Sequence, residues 1–140
     1  MSVTPGSVIV VDDDAAVRHS LKFALEQEGL LVRVYGSGEE LLAATDLPAH
    51  GCLVVDQYMP RMTGLELVNR LRRRHVDLPA ILITTNATSD LRRSAIRSGI
   101  RRVLEKPLQD GSLVDSIRGA LAASAASPPS DAGTSRWESI

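Results

Sequence analysis

The sequence of 140 residues has one cysteine, 3% aromatic residues and no run of more than four consecutive apolar residues. A single cysteine excludes a disulfide framework within the chain. The short apolar runs exclude a membrane span, which needs about 20 apolar residues, and they do not fit a signal peptide. We therefore expect a reduced, buried thiol at Cys52 and a soluble, cytoplasmic protein.

The chain also lacks an excess of either charge. Sixteen Lys and Arg residues face seventeen Asp and Glu residues, so the formal net charge is -1. No global charge attracts nucleic acid or an anionic membrane, and we expect neither as a direct partner. The hydrophobic content of 44% is mostly Val, Leu, Ile and Ala, which is typical of a helix-covered sheet in one domain.

Short aliphatic runs alternate with amphipathic segments along the chain. The runs predict five strands, at 7–11, 31–35, 52–55, 80–84 and 101–105. The segments between them predict five helices: one carrying Val17, Leu21 and Leu25 on one face, a weaker one over 38–45, one opening at Thr63, one over 89–98 and one starting near Asp110. Strands that alternate with helices predict a parallel sheet with right-handed crossovers.

The predicted fold class is α/β, a flavodoxin-like, doubly wound (βα)5 domain with strand order 2-1-3-4-5. The segments 52–55 and 80–84 are apolar throughout, whereas 31–35 and 101–105 carry charge, as edge strands do. From Ala122 the composition changes to "AASAASPPSDAGTSRWESI". We therefore expect a domain over 1–121 and a flexible tail over 122–140, in which Trp137 is solvated.

Capping residues mark several helix ends. Asp14 follows the first strand and is expected to cap the first helix. Thr63 and Glu66 have the spacing of a capping box. Gly29 and Gly99 stand where the first and fourth helices should stop.

Polar residues follow four of the five predicted strands. Asp12 and Asp13 end the first, Asp56 the third, Thr84 the fourth, and Lys106 comes after the fifth. Parallel strands deliver their carboxyl ends to one edge, so these side chains should converge. Three acids against one lysine leave a negative excess that a hard divalent cation would neutralise, and oxygen ligands favour Mg²⁺ over zinc.

Phosphoryl transfer uses Mg²⁺ together with groups such as a carboxylate, a lysine and a hydroxyl group. An ionised aspartate can itself be the nucleophile and become an aspartyl phosphate. Asp56 ends a buried strand and is followed by the rigid Pro60, so its carboxylate should be held at a fixed position.

The elements "VVDDD", "VVDQYMPRMTGLEL", "ILITT" and "VLEKPL" resemble the receiver domain of two-component response regulators, over residues 6–121. The resemblance implies that Asp56 is the phosphoacceptor. It implies that Asp13 binds Mg²⁺ directly, that Asp12 binds it through water, and that the backbone carbonyl of Tyr58 is a further ligand. It also implies a sensor histidine kinase as the phosphoryl donor.

The resemblance extends to three further positions. Thr84 matches the hydroxyl residue that senses the phosphoryl group, and Lys106 matches the lysine that pairs with it. In the family the peptide bond before the proline matching Pro107 is usually cis.

Four positions are expected to modulate the site. Val103 stands where most receivers have an aromatic switch residue. Its side chain is β-branched and stiff, and it has no ring that could turn inwards. Thr85 is larger than the usual residue at its position and is expected to narrow the path to the phosphoryl group. Tyr58 and Asn86 flank the expected approach of water, so we expect both to affect the lifetime of the phosphoryl group.

The leading hypothesis is a single-domain response regulator that signals through protein contacts and is not an enzyme beyond its own phosphorylation and dephosphorylation. The output partner would be a downstream protein, the kinase or a competing receiver. A homodimer through the fourth helix, fifth strand and fifth helix is a further option, in which Arg92, Arg93, Arg97, Arg101 and Arg102 pair with Asp110 and Asp115 of a second copy.

Three alternatives remain open at this point. The chain could be the receiver module of a longer DNA-binding regulator or hybrid kinase. It could be a phosphatase working through an aspartyl phosphate, although Ala16 replaces the usual Thr or Val and there is no room for a cap domain. A flavodoxin-like binder is the last alternative, and it would need a phosphate loop in place of "DDD".

Overall fold

The computed structural model describes residues 7–109 and 111–126. Strands and helices alternate without exception along this part of the chain. In chain order they are β1 Ser7–Val11, α1 Ala15–Gln27, β2 Leu31–Tyr35, α2 Gly38–Leu42, β3 Gly51–Asp56, α3 Gly64–Arg73, β4 Ala80–Thr84, α4 Ser89–Arg97, β5 Ile100–Glu105 and α5 Ser112–Ala126. No helix in the described ranges is both long and apolar enough to cross a membrane.

All five strands pair in parallel, in the order β2-β1-β3-β4-β5. The predicted doubly wound fold and its strand order are thus confirmed. Every residue of β3 and β4 is buried, whereas the edge strands β2 and β5 are partly exposed, as their charges predicted. The strand order places β1 and β3 side by side, and both end at the edge where the acidic residues are.

Two cores lie on opposite faces of the sheet, because successive strand residues point to opposite sides. Ile9 and Val55 belong to one core, which α2, α3 and α4 cover. Val10 and Val54 belong to the other, which α1 and α5 cover. A sheet covered on both faces gives the strand ends little freedom to move.

The predicted helix caps are present. The Asp14 side chain accepts hydrogen bonds from the backbone N–H groups of Ala16 (2.9 Å) and Val17 (3.3 Å). At the start of α3, Thr63 Oγ1 accepts from the N–H of Glu66 (3.1 Å) and Glu66 Oε1 accepts from the N–H of Thr63 (2.8 Å). These bonds fix where each helix leaves the site edge.

Two predicted helix ends differ from the structure by three residues or more. Helix α2 ends at Leu42, before the predicted 45, and α5 continues through Ala126 into the segment predicted as a tail from Ala122. The alanines there are strong helix formers, and the helix docks: the backbone N–H of Gly51 donates to Ser124 Oγ at 3.1 Å. Residues 127–140, including Trp137, lie outside the described residues, as does Asp110.

Candidate functional site

Three carboxylates converge at the C-terminal ends of β1 and β3. The register pairs Val11 with Val55, so the residues that follow them, Asp12 and Asp56, are neighbours. Each of Asp12, Asp13 and Asp56 offers a carboxylate oxygen, and the three oxygens lie within 4.8 Å of one another. Asp12 and Asp56 are 3% and 7% exposed, whereas Asp13 is open to solvent. The predicted convergence of acids from two strands is therefore present.

Within the described ranges, Lys106 is the basic residue that forms an ion pair with this acidic cluster. Lys106 Nζ lies 3.4 Å from Asp56 Oδ1. The backbone N–H of Lys106 donates to the Thr84 carbonyl at 2.8 Å, which extends the pairing of β4 and β5 by one residue. The peptide bond from Lys106 to Pro107 is cis, as the resemblance implied.

Burial and mutual repulsion disfavour ionisation of the two inner acids. The pKa of Asp56 is raised, mainly because burial removes water from its carboxylate and then because Asp12 is negative, while Lys106 opposes both effects. Burial also raises the pKa of Asp12, against a hydrogen bond of 2.9 Å from the N–H of Asp14. One lysine leaves the cluster negative, and oxygen ligands with one open side suit a hard divalent cation.

Thr84 is fully buried at the end of β4. Its hydroxyl oxygen accepts from the N–H of Asn86 at 3.1 Å and donates to the Asn86 carbonyl at 3.3 Å. The hydroxyl group is thus bonded to the β4–α4 loop and not to a member of the acidic cluster. Thr85 and Asn86 are both exposed at this loop.

The two remaining predicted modulators differ in environment. Tyr58 is 52% exposed on the loop that follows β3. Val103 is half-buried in β5 and packs against the core beneath α2, α3 and α4.

Three supporting residues were not identified from the sequence. Arg18 Nη1 donates to the backbone carbonyl of Asp12 at 2.7 Å and so holds the end of β1 from α1. Gln57 Oε1 accepts from the N–H of Leu65 at 2.9 Å, which ties the strand exit to α3. Arg18 lies six residues from Asp12, a spacing that carries no local signal, so only the fold reveals the contact.

Gly64 is the third supporting residue. A Cβ atom there would lie 2.6 Å from the Asp56 carbonyl oxygen and 2.8 Å from both Leu82 and Val55 side chains. The absence of a side chain lets the first turn of α3 pack directly against the end of β3. The sequence placed this glycine inside a helix start but gave no reason for it.

A concavity of about 660 Å³ lies at the opposite edge of the sheet. Arg72, His75, Arg101 and Ser124 are among the residues that line it, and none of the acidic cluster does. The chemical arrangement at the strand ends, not cavity size, therefore identifies the site.

Comparison with known proteins agrees with this arrangement. The family model described as "Response regulator receiver domain" matches residues 8–118. The chain belongs to the response regulator receiver family. The matched residues include every member of the acidic cluster and Lys106.

Among curated relatives, the transcriptional regulatory protein FixJ of Azorhizobium caulinodans is 38% identical over 118 residues, covering 84% of this chain and 56% of FixJ. The chain spans between 51% and 58% of the first four curated relatives. It therefore corresponds to about half of those proteins.

Two solved receivers are similar in structure. The crystal structure of FixJ-N is 34% identical, with a TM-score of 0.78, and the match covers 86% of this chain and 96% of that one. The response regulator TrrA of Thermotoga maritima, solved in complex with Mg²⁺–BeF, is 27% identical with a TM-score of 0.70, covering 83% and 99%.

Proposed function

We propose that this receiver accepts a phosphoryl group on Asp56 from a sensor histidine kinase, in a Mg²⁺-dependent reaction. The observation that carries the proposal is the acidic cluster, with oxygens of Asp12, Asp13 and Asp56 within 4.8 Å of one another and Lys106 3.4 Å from Asp56. The structural likeness to TrrA, which was solved with Mg²⁺–BeF, supports the same chemistry.

The transfer itself needs little beyond positioning and charge. A carboxylate oxygen of Asp56 attacks the phosphorus of a phosphohistidine, an O–P bond forms, the P–N bond breaks, and its electron pair leaves with the imidazole. Lys106 offsets negative charge on the transferring oxygens. Asp12, Asp13, Asp56 and the Tyr58 carbonyl would hold Mg²⁺. When bound, the cation supplies further charge neutralisation.

Thr84 gives the switch a defined starting state. Its hydroxyl group is hydrogen-bonded to the backbone of Asn86. We propose that the hydroxyl group turns to the phosphoryl group after transfer and so releases the loop that leads into α4. Val103 supplies no aromatic ring to follow this movement, so the loop and α4 carry the signal.

Three residues on the loops that follow β3 and β4 are proposed to set the lifetime of the phosphoryl group. Tyr58 and Asn86 are exposed and are proposed to flank the approach of water, and Thr85 follows the proposed sensing residue Thr84 in the chain. Substitution of Tyr58 and Asn86, followed by measurement of dephosphorylation, tests this proposal. An unchanged half-life in both variants contradicts it.

Incubation with a small acyl phosphate and Mg²⁺, followed by intact-protein mass spectrometry, tests the phosphoacceptor. We expect one phosphoryl adduct on wild type and none on Asp56→Asn. Asp14→Asn is the matched control, since Asp14 lies beside the cluster but caps α1, and asparagine caps equally well. An adduct on Asp56→Asn, or wild-type labelling in the presence of excess EDTA, contradicts the proposal.

We propose output through protein contacts in the cytoplasm, from a single-domain regulator. The specific second candidate is the receiver module of a longer DNA-binding regulator, and the coverage of 56% of FixJ favours it. An immunoblot of source cells measures the natural length: a band near 15.1 kDa supports the single-domain protein, and a band near twice that size supports the module.

We also propose that the chain is not an enzyme acting on a separate substrate. The receiver arrangement uses Asp56 for a single transfer, and turnover of a phosphomonoester such as p-nitrophenyl phosphate would contradict this. A homodimer through α4, β5 and α5 is a further proposal, which sedimentation of the phosphorylated protein tests.

A further inference from the structure

Arg18 lies behind the acidic cluster and contacts one of its members through the backbone. Its Nη1 atom donates to the carbonyl oxygen of Asp12 at 2.7 Å, in a partly buried contact. No carboxylate of a described residue lies within 4.0 Å of the guanidinium group, so an ion pair does not account for its position. The Arg18 side chain therefore connects the start of α1 to the point where β1 ends and its acids begin.

The chain leaves room for this guanidinium group at Gly36, which follows β2. A Cβ atom on Gly36 would lie 3.2 Å from Arg18 Nη1 and 3.5 Å from Arg18 Cζ. The φ angle of Gly36 is not in the left-handed region, so other residues could adopt this backbone. What a larger residue would take away is the space that Arg18 occupies.

The exit of β1 is held at three atoms of Asp12. Its N–H donates to the carbonyl of Tyr35 at 3.2 Å, its Oδ1 accepts from the N–H of Asp14 at 2.9 Å, and its carbonyl oxygen accepts from Arg18. That carbonyl oxygen belongs to the planar peptide unit that joins Asp12 to Asp13. Fixing it restricts ψ of Asp12 and φ of Asp13. The directions of both carboxylates depend on these angles.

We propose that Arg18 is a positioning residue for Mg²⁺, because it orients the peptide between Asp12 and Asp13 so that both carboxylates face the cation. The inference rests on the Mg²⁺ binding proposed above. Arg18 itself is not a ligand, since a guanidinium group has no acceptor lone pair. Groups that hold metal ligands in place contribute roughly ten- to a hundredfold to metal affinity.

Positioning and charge predict opposite effects of removing Arg18. A guanidinium group near the acidic cluster repels a divalent cation, so loss of its charge alone would tighten Mg²⁺ binding. Loss of the hydrogen bond would instead free the peptide after Asp12 and weaken Mg²⁺ binding. Arg18→Met keeps an unbranched apolar stem and removes both the charge and the donor. The direction of the change in affinity therefore separates the two roles.

Titration calorimetry of the full chain with MgCl₂, well below the temperature of thermal unfolding, measures the effect. We expect roughly tenfold weaker Mg²⁺ binding by Arg18→Met. Arg18→Lys, which restores a donor on a shorter stem, should recover part of the loss. In the metal-free protein, the amide resonance of Asp13 in a nitrogen–proton correlation spectrum should shift in Arg18→Met, because this amide belongs to the peptide that Arg18 holds.

The matched control is Lys22→Met, which removes another cation from α1. Lys22 is exposed and pairs with Glu26, away from the acidic cluster. Its loss should change Mg²⁺ affinity by less than about twofold, because solvent and salt screen an exposed charge. It should leave the Asp13 amide resonance in place. Circular dichroism checks that each variant is folded.

The possible contrary results are distinct. If wild type binds Mg²⁺ and Arg18→Met binds it equally or more tightly, this inference alone is overturned. An equal loss of affinity in Lys22→Met also overturns it, because the effect would then not be specific to the contact with Asp12. Failure of wild type to bind Mg²⁺ overturns both this inference and the Mg²⁺ dependence proposed for Asp56.

Discussion

Replacing Asp56 with asparagine is expected to stabilise the fold in metal-free buffer, although it removes the proposed phosphoacceptor. In the described part of the chain one lysine, Lys106, pairs with the acidic cluster, and Asp56 interacts with this lysine and with both other acids. Asparagine keeps the shape of the side chain but removes its charge. The repulsion between Asp56 and its two acidic neighbours is then absent from the folded state.

The magnitude follows from the distances. The carboxylate oxygens lie no more than 4.8 Å apart, so at an effective dielectric constant of about 20 each of the two repulsions involving Asp56 costs at least about 3.5 kcal/mol. The attraction to Lys106 at 3.4 Å contributes about 5 kcal/mol on the same basis, which leaves a net cost of about 2 kcal/mol. Solvent screens Asp13 and Lys106, so we expect a gain of about 1–2 kcal/mol in the free energy of unfolding.

Urea denaturation of wild type and Asp56→Asn, in EDTA and in Mg²⁺, measures the effect. The raised pKa of Asp56 means that the folded state binds the proton more tightly than the unfolded state, so ionisation destabilises the fold. The gain should therefore be full at neutral pH, shrink as pH falls through the raised pKa, and vanish below 3.8, the ordinary value.

Mg²⁺ should increase the free energy of unfolding of wild type more than that of Asp56→Asn. At a hundred times its dissociation constant a ligand stabilises the folded state by about 2.7 kcal/mol, and the variant lacks one of the ligands. Asp14→Asn is the control and should respond to Mg²⁺ as wild type does. The reasoning is refuted if Asp56→Asn is no more stable than wild type in EDTA, or if Mg²⁺ stabilises both proteins equally.

Three further predictions concern packing, capping and reactivity. Gly64→Ala should destabilise the fold by more than about 2 kcal/mol in a thermal melt, because its Cβ would approach the Asp56 carbonyl to 2.6 Å. The control is Gly119→Ala, which has nothing within 4 Å of its Cβ and should stabilise α5 by about 0.5–1 kcal/mol. A loss with both, or with neither, contradicts this reading. Thr63→Ala should cost about 1 kcal/mol in urea denaturation, because it removes one half of the capping box at α3, and no change would mean that the box contributes nothing. Burial raises the pKa of Cys52 to about 12, so a thiol reagent should modify it only after unfolding, and rapid labelling of the folded protein would show an open path to β3.

Local sequence patterns predicted much of the fold. Alternating aliphatic runs and amphipathic segments predicted five strands, five helices and the strand order. They could do so because the spacing of apolar residues along the chain follows the period of a strand or of a helix. The caps at Asp14 and Thr63 follow from hydrogen bonds within three residues. The predicted end of α5 lies too early in the chain, because an alanine-rich sequence is compatible with a flexible tail and with a helix. The hydrogen bond between Gly51 and Ser124, which the sequence does not show, favours the helix.

By itself the sequence determined which residues end which strands, and hence that acids, a hydroxyl group and a lysine share one edge. Tertiary structure decided how they interact: the depth of Asp12 and Asp56, and the ion pair that Lys106 forms with Asp56. It alone revealed Arg18 behind Asp12 and Gly64 against Asp56. Periodicity is a local property of the chain, whereas burial, electrostatic balance and close approach depend on segments that only folding brings together.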